Sequence, residues 1–227
     1  MAKSQLLKDF VKNEVSLETI LLRLKVILAD LQDEVILKWV NGELSGFKED
    51  VPEYRILEGI PKGNFVVNGC AQYTNSNVPL RGRMSKEDID AITTLEMADS
   101  INVIINMLQS EQRNNISRPI PTELCHSISD YELQITGMRI AFSPNQLDGI
   151  VSSVKSKILD IILLLEKNFE NIDELDILSQ IEENPQSAQD VIYNIQQVVF
   201  GHTTEIKIGD KNKIKNSGVG SFFRRGK

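Results

Sequence analysis

A chain of 227 residues with 41% hydrophobic and 25% charged residues carries enough apolar material for a real core, under a surface of ordinary charge. Its net charge of −7 argues against general coating of nucleic acid, which needs a basic surface. The longest apolar run, Ile161 to Leu165, is far too short to span a bilayer, so no transmembrane segment is expected.

The charge is unevenly placed. From Phe200 onward seven Lys and Arg stand against Glu205 and Asp210; that stretch carries +5, and the body, out of the total of −7, carries −12. A basic tail on an acidic body suits docking on a neighbouring copy or on a phosphate-bearing partner. The two cysteines, Cys70 and Cys125, fit a reduced cytosolic protein, with a single disulfide between them still open at this stage. The opening Met-Ala-Lys-Ser-Gln does not read as a signal peptide, and a cytoplasmic location is expected.

In chain order, residues 4–14 predict a short helix with Leu6, Leu7, Phe10 and Val11 on one face. Ser16 is a good N-cap for the next helix. Leu17, Ile20, Leu21, Leu24, Ile27, Leu28 and Leu31 then recur at three- and four-residue spacing, and the pattern runs on to Leu44. Whether 17–44 is one helix or two hinged near Asp30–Asp33 is open. Gly46 reads as the C-terminal stop. Residues 54–60 and 64–73 predict two strands turned at Pro61-Lys62-Gly63, and 75–79 a further turn. Ser85 opens a long helix over 86–110, ended by Asn114-Asn115 and the prolines 119 and 121. A helical turn at 122–128, a strand at 131–142 bent at Gly137, and a long helix at 144–169 follow. Residues 170–184 read as a short helix within an acidic loop, and 187–199 as a last helix. The fold class is α+β, predominantly helical: a helix-rich core with a small antiparallel sheet, plus a short C-terminal β tail. The domain division is a helix-rich unit at 1–199 and a basic tail at 200–227.

The candidate chemistry gathers between Trp39 and Arg55. Glu43 beside the only tryptophan fits a desolvated general acid, or an ion pair with Arg55 or a lysine that fixes the helix–loop junction. Arg55 fits a bidentate lock on a carboxylate, or a grip on a ligand phosphate. The lock is favoured, because no glycine-rich phosphate loop lies nearby. Cys125-His126 makes a poor nucleophile–base pair, since adjacent side chains point apart. Neither the cysteines nor the histidines have metal-ligand spacing. No catalytic residue, cofactor site or metal site is therefore assigned.

In the tail, Ile206, Ile208, Ile214 and Val219 alternate with polar residues and are punctuated by Gly209-Asp210, Asn212 and Asn216-Ser217. One such unit cannot bury its apolar face alone, which favours a role in oligomerisation or partner docking; a tail without strands is the alternative. The terminal Phe222-Phe223-Arg224-Arg225 is too short to establish contact with membrane or nucleic acid.

The leucine-rich helix at Leu21–Leu31, then Trp39 with Glu43-Leu44-Ser45-Gly46-Phe47, then Pro52-Glu53-Tyr54-Arg55, together resemble the AbiTii domain of bacterial abortive-infection proteins. The resemblance covers residues 5–80, more weakly to about 110. Phe47 stands where that family more often has tyrosine, which removes a hydroxyl. The tail segment Gly209-Asp210-Lys211-Asn212-Lys213-Ile214 is similar to segments at the ends of various bacterial conflict-system proteins. The resemblance implies a phage-defence setting and brings no catalytic residues with it. The expectation is a non-enzymatic sensor or scaffold, a homo-oligomer with a phage or defence-system protein as partner. The alternatives are a toxic enzyme such as a nuclease using Glu43 and Glu53, and a nucleic-acid-binding regulator using the basic tail.

Overall fold

Ser4, Ser16, Asp33 and Ser100 each accept a hydrogen bond from a backbone N–H in the first turn of a helix, and these caps set the principal helix starts. The computed structural model describes residues 3–201. The tail residues Ile206, Ile208, Gly209, Asp210, Asn212, Ile214 and Val219 lie outside that range.

The chain begins with α1 (Gln5–Lys12), α2 (Leu17–Ala29) and α3 (Glu34–Ser45). Residues 17–44 are thus two helices. Asp33 draws the N–H of Ile36 to its side chain at 2.8 Å, and Gln32 takes a φ of 52°, so the chain turns there. Gly46, at φ 92°, ends α3, and its N–H bonds to the Gly42 carbonyl at 2.8 Å.

β1 (Ile56–Glu58), β2 (Ile60–Val67) and β3 (Ala71–Asn77) follow. The expected turn at Pro61-Lys62-Gly63 is instead the first half of β2. The turn falls at Asn68-Gly69, with φ 51° and 68°, the pair of positive angles that a tight hairpin needs. Gly63 is small for a different reason: a Cβ there would collide with the carbonyl of Gly137 on the neighbouring strand.

The expected helix over 86–110 is also broken. It divides into α4 (Lys86–Thr93), β4 (Thr94–Glu96) and α5 (Ile101–Gln109). β4 pairs antiparallel with β1, Leu57 opposite Leu95, and forms a separate two-stranded sheet. Tertiary pairing overrides the helical period there. A short strand that the sequence reading lacked, β5 (Ser117–Pro119), precedes α6 (Thr122–Ser127) and β6 (Leu133–Ala141). The second sheet is antiparallel in the order β3-β2-β6-β5, with its register shifting opposite Gly137. The chain then forms α7 (Pro144–Asn168), α8 (Leu178–Glu183) and α9 (Pro185–Phe200).

Two apolar clusters hold this α+β, helix-rich fold. The larger is helical: Ile150, Val154, Ile158 and Ile161 of α7 lie fully buried against residues such as Leu24, Leu28, Val40, Ile104 and Ile195. The smaller lies on one face of the four-stranded sheet, where Phe65, Leu133, Ile135 and Met138 meet Val78, Leu80 and Cys125.

Candidate functional site

Trp39 and Glu43 are one turn apart on α3 and project into the helical core, 1% and 0% exposed. Past Gly46 the chain loops through Pro52, which is buried, into a single 3-10 turn at Glu53–Arg55. That turn points Tyr54 and Arg55 back at α3 and leaves Glu53 in solvent. The result is a closed network. Arg55 grips Glu43 through two bonds, Nη2 to Oε2 at 2.5 Å and Nε to Oε1 at 3.2 Å. Its remaining nitrogen, Nη1, donates to the carbonyls of Met97 at 3.0 Å and Asp99 at 2.7 Å. The Tyr54 hydroxyl donates to Glu43 Oε1 at 2.5 Å and accepts from the Trp39 indole N–H at 2.9 Å.

The break between β4 and α5 makes this arrangement possible. A continuous helix through 97–99 would keep those two carbonyls for its own ladder; here they turn to the guanidinium. The N–H of Met97 also bonds to the Arg55 carbonyl at 2.9 Å, so the two segments hold one another.

Phe47 covers the network. The Arg55 guanidinium carbon lies 4.9 Å from the Phe47 ring centre, a cation–π contact. That ring in turn lies on Gly42, where any Cβ would collide with it. The backbone N–H of Phe47 bonds to the Ala98 carbonyl at 2.7 Å. On the far side, Lys157 of α7 places its amine 5.1 Å from the Tyr54 ring centre and donates to the Val198 carbonyl on α9 at 2.6 Å.

The electrostatics follow from burial. Desolvation and then the Glu43 carboxylate push the Tyr54 phenol far above its ordinary value, so it remains a proton donor. Burial pushes the Lys157 amine down, and the nearby Glu43 carboxylate opposes that shift. Glu43 receives three hydrogen bonds and is shut off from water. Phe47, Gly42 and Lys38 line an open cleft of about 600 Å³, but Glu43 and Arg55 do not reach it. In chemical terms the arrangement is a satisfied buried ion pair that joins α3 to the 3-10 turn, the 97–99 segment, α7 and α9.

The residues singled out in sequence therefore separate. Trp39, Glu43, Tyr54, Arg55 and Phe47 meet in one network; Gly46 and Pro52 shape the loop that brings them together; Leu44 is half-buried on the same helix; Glu53 stands apart at the surface. Met97, Asp99 and Lys157 are the partners that sequence reasoning missed. Two of them contribute only backbone atoms, which no side-chain pattern announces. Elsewhere, Cys125 is buried in the smaller core, where burial raises its thiol pKa, while His126 beside it faces solvent. Cys70 and Cys125 are both free thiols. Among the described residues no group of three or more His, Cys, Asp or Glu is placed to hold a metal ion, and no helix is long and apolar enough to cross a membrane.

The fold and network define a helix-rich α+β module organised around an α3-to-β1 joint locked by a buried arginine–glutamate pair. The AbiTii family model matches residues 4–191, and the chain belongs to that family. The match runs well past the 5–80 stretch that carries the sequence resemblance, through the sheet and into α9. The family's name points to abortive infection, a bacterial defence against phage. No curated protein and no solved structure matches the chain.

Proposed function

We propose that this protein acts in phage defence as a non-enzymatic sensor or scaffold that multimerises through its tail, from residue 200 onward. The observation that carries the reading is the closed state of the Trp39–Arg55 network. Its one buried acid has Tyr54 and Arg55 as partners and no exposure to solvent, so a substrate finds no open group there. The nuclease alternative needs Glu43 and Glu53 in one site, but Glu53 lies at the surface, away from the buried Glu43. The tail supplies what a scaffold needs, alternating β-branched residues and a charge of +5 against a body of −12. The protein partner is a phage component or another defence protein.

The test is phage plating on cells that make the full chain, beside mass photometry of the purified protein. Ile206→Lys with Ile208→Lys is expected to abolish both protection and tail-driven assembly while leaving the circular dichroism spectrum unchanged. Glu53→Gln is expected to protect as the wild type does. Full protection by the tail variant, or loss of protection by Glu53→Gln at normal protein levels, overturns the reading.

A further inference from the structure

α2 is apolar on two sides. Leu21, Leu24 and Leu28 are fully buried in the helical core, yet Leu22 and Val26 on the outer side are 51% and 50% exposed. A helix that serves only one core has polar residues at such positions. The outer residues are also in order. Within α2, Thr19, Leu22, Val26 and Ala29 follow at spacings of three, four and three, the repeat by which one helix lies along another. Thr19, Leu22, Val26 and Ala29 are exposed, so this strip has no cover among the described residues; Val15, in the turn before α2, packs against the helical core of its own chain.

Charge decides what covers it. Glu18 and Lys25 border the strip on one side, both exposed, and neither has an ion-pair partner among the described residues. On the other side Arg23 is already engaged, 2.6 Å from Asp9.

We propose that this strip is the interface with a second copy of the same chain, the two α2 helices packing antiparallel about a two-fold axis near residues 20 and 21. That register sets Leu22 against Thr19 of the second copy and brings Val26 to the start of its α2. It also sets Glu18 against the second copy's Lys25, and symmetry makes each contact twice. The antiparallel arrangement joins the two free charges. A parallel one would need Arg23, which its own chain holds. The interface is built from α2 and calls on no residue beyond Gly201.

Sedimentation velocity of the full-length chain carrying Ile206→Lys and Ile208→Lys isolates this surface from any assembly through the tail. A dimer is expected in the micromolar range. Leu22→Glu weakens it by at least about tenfold, since each dimer loses two buried leucines. Glu18→Lys and Lys25→Glu each weaken it, and the double reversal restores it, because the swapped charges again face their opposites. All these positions are on a helix surface, so the melting curves stay close to that of the parent; Val26→Lys replaces Leu22→Glu if the latter does not fold. A monomer at every concentration overturns the proposal. So does a dimer indifferent to Leu22→Glu, or one that the double reversal fails to restore.

Discussion

Replacing Arg55 by methionine asks how much of the fold rests on the buried network. Arg55 is fully buried and makes four hydrogen bonds, two to Glu43 and one each to the carbonyls of Met97 and Asp99. Methionine fills much of the volume and makes none of them. Glu43 is then left as a buried acid held by Tyr54 alone, a change that costs about 3–5 kcal/mol. Glu43→Met strands the guanidinium instead and costs a similar amount. Changing both residues removes both stranded charges. Only the two carbonyls and the Tyr54 hydroxyl then lose partners, for about 1–3 kcal/mol. The double variant is therefore more stable than either single one, a departure from additivity of several kcal/mol. Urea unfolding followed by Trp39 fluorescence reads this directly, because the only tryptophan is 1% exposed and donates to Tyr54. With a slope of about 2–3 kcal/mol per molar urea, Arg55→Met lowers the midpoint by about 1–2.5 M. A cost below about 1 kcal/mol, or singles that simply add, would refute the reasoning.

Gly42→Ala separates packing from propensity: alanine favours a helix by about 1 kcal/mol over glycine, yet its Cβ collides with the Phe47 ring. Net destabilisation is expected, and the sign should reverse in a Phe47→Ala background, as read by thermal melts of the four proteins. Tyr54→Phe removes the hydroxyl that bridges Trp39 and Glu43 and costs about 1–3 kcal/mol in urea unfolding. The same variant reports on alkali. The Tyr54 pKa is raised by folding, so its contribution is fully present below its ordinary 10.0 and declines as pH climbs above that, when the unfolded chain gives up a proton that the folded one keeps. Wild type is expected to lose more stability than Tyr54→Phe between about pH 9 and 11, and parallel pH profiles would count against it. Gly63→Ala drives a Cβ against the Gly137 carbonyl, so it is expected to destabilise by about 1–3 kcal/mol, with hydrogen exchange rising first in β2 and β6.

The helices were legible because their apolar residues keep a period that burial requires, as in α2 and α7. The structure departs from the sequence pattern where two signals compete. Pro61 and Gly63 look like turn residues, yet Asn68-Gly69 a few positions on is the stronger hairpin pair, with both residues at positive φ. Gly63 answers to a close strand, which is visible only once Gly137 is beside it. Likewise the apolar spacing from Ile89 to Leu108 continues through Thr94–Glu96, and nothing local says that β1 will claim those residues. Two cues to the break were present: the adjacent β-branched Thr93-Thr94, and Ser100 standing as a cap before Ile101.

The same distinction governs the site. Trp39, Glu43, Phe47, Tyr54 and Arg55 lie close in sequence because one helix, one loop and one turn bring them together, so their grouping was readable. Their partners Met97, Asp99 and Lys157 come from elements that only folding brings near. Phe47 fits this account without the hydroxyl of a tyrosine: its ring meets the guanidinium and packs on Gly42, and neither contact uses an oxygen. Acid, arginine and aromatics thus satisfy one another inside the fold, and their chemistry is engaged in holding α3 to the segments around it. Surfaces with unmet requirements are the ones open to a partner. On the described residues the clearest is the outer strip of α2, where Leu22 and Val26 stand half-exposed beside Glu18 and Lys25.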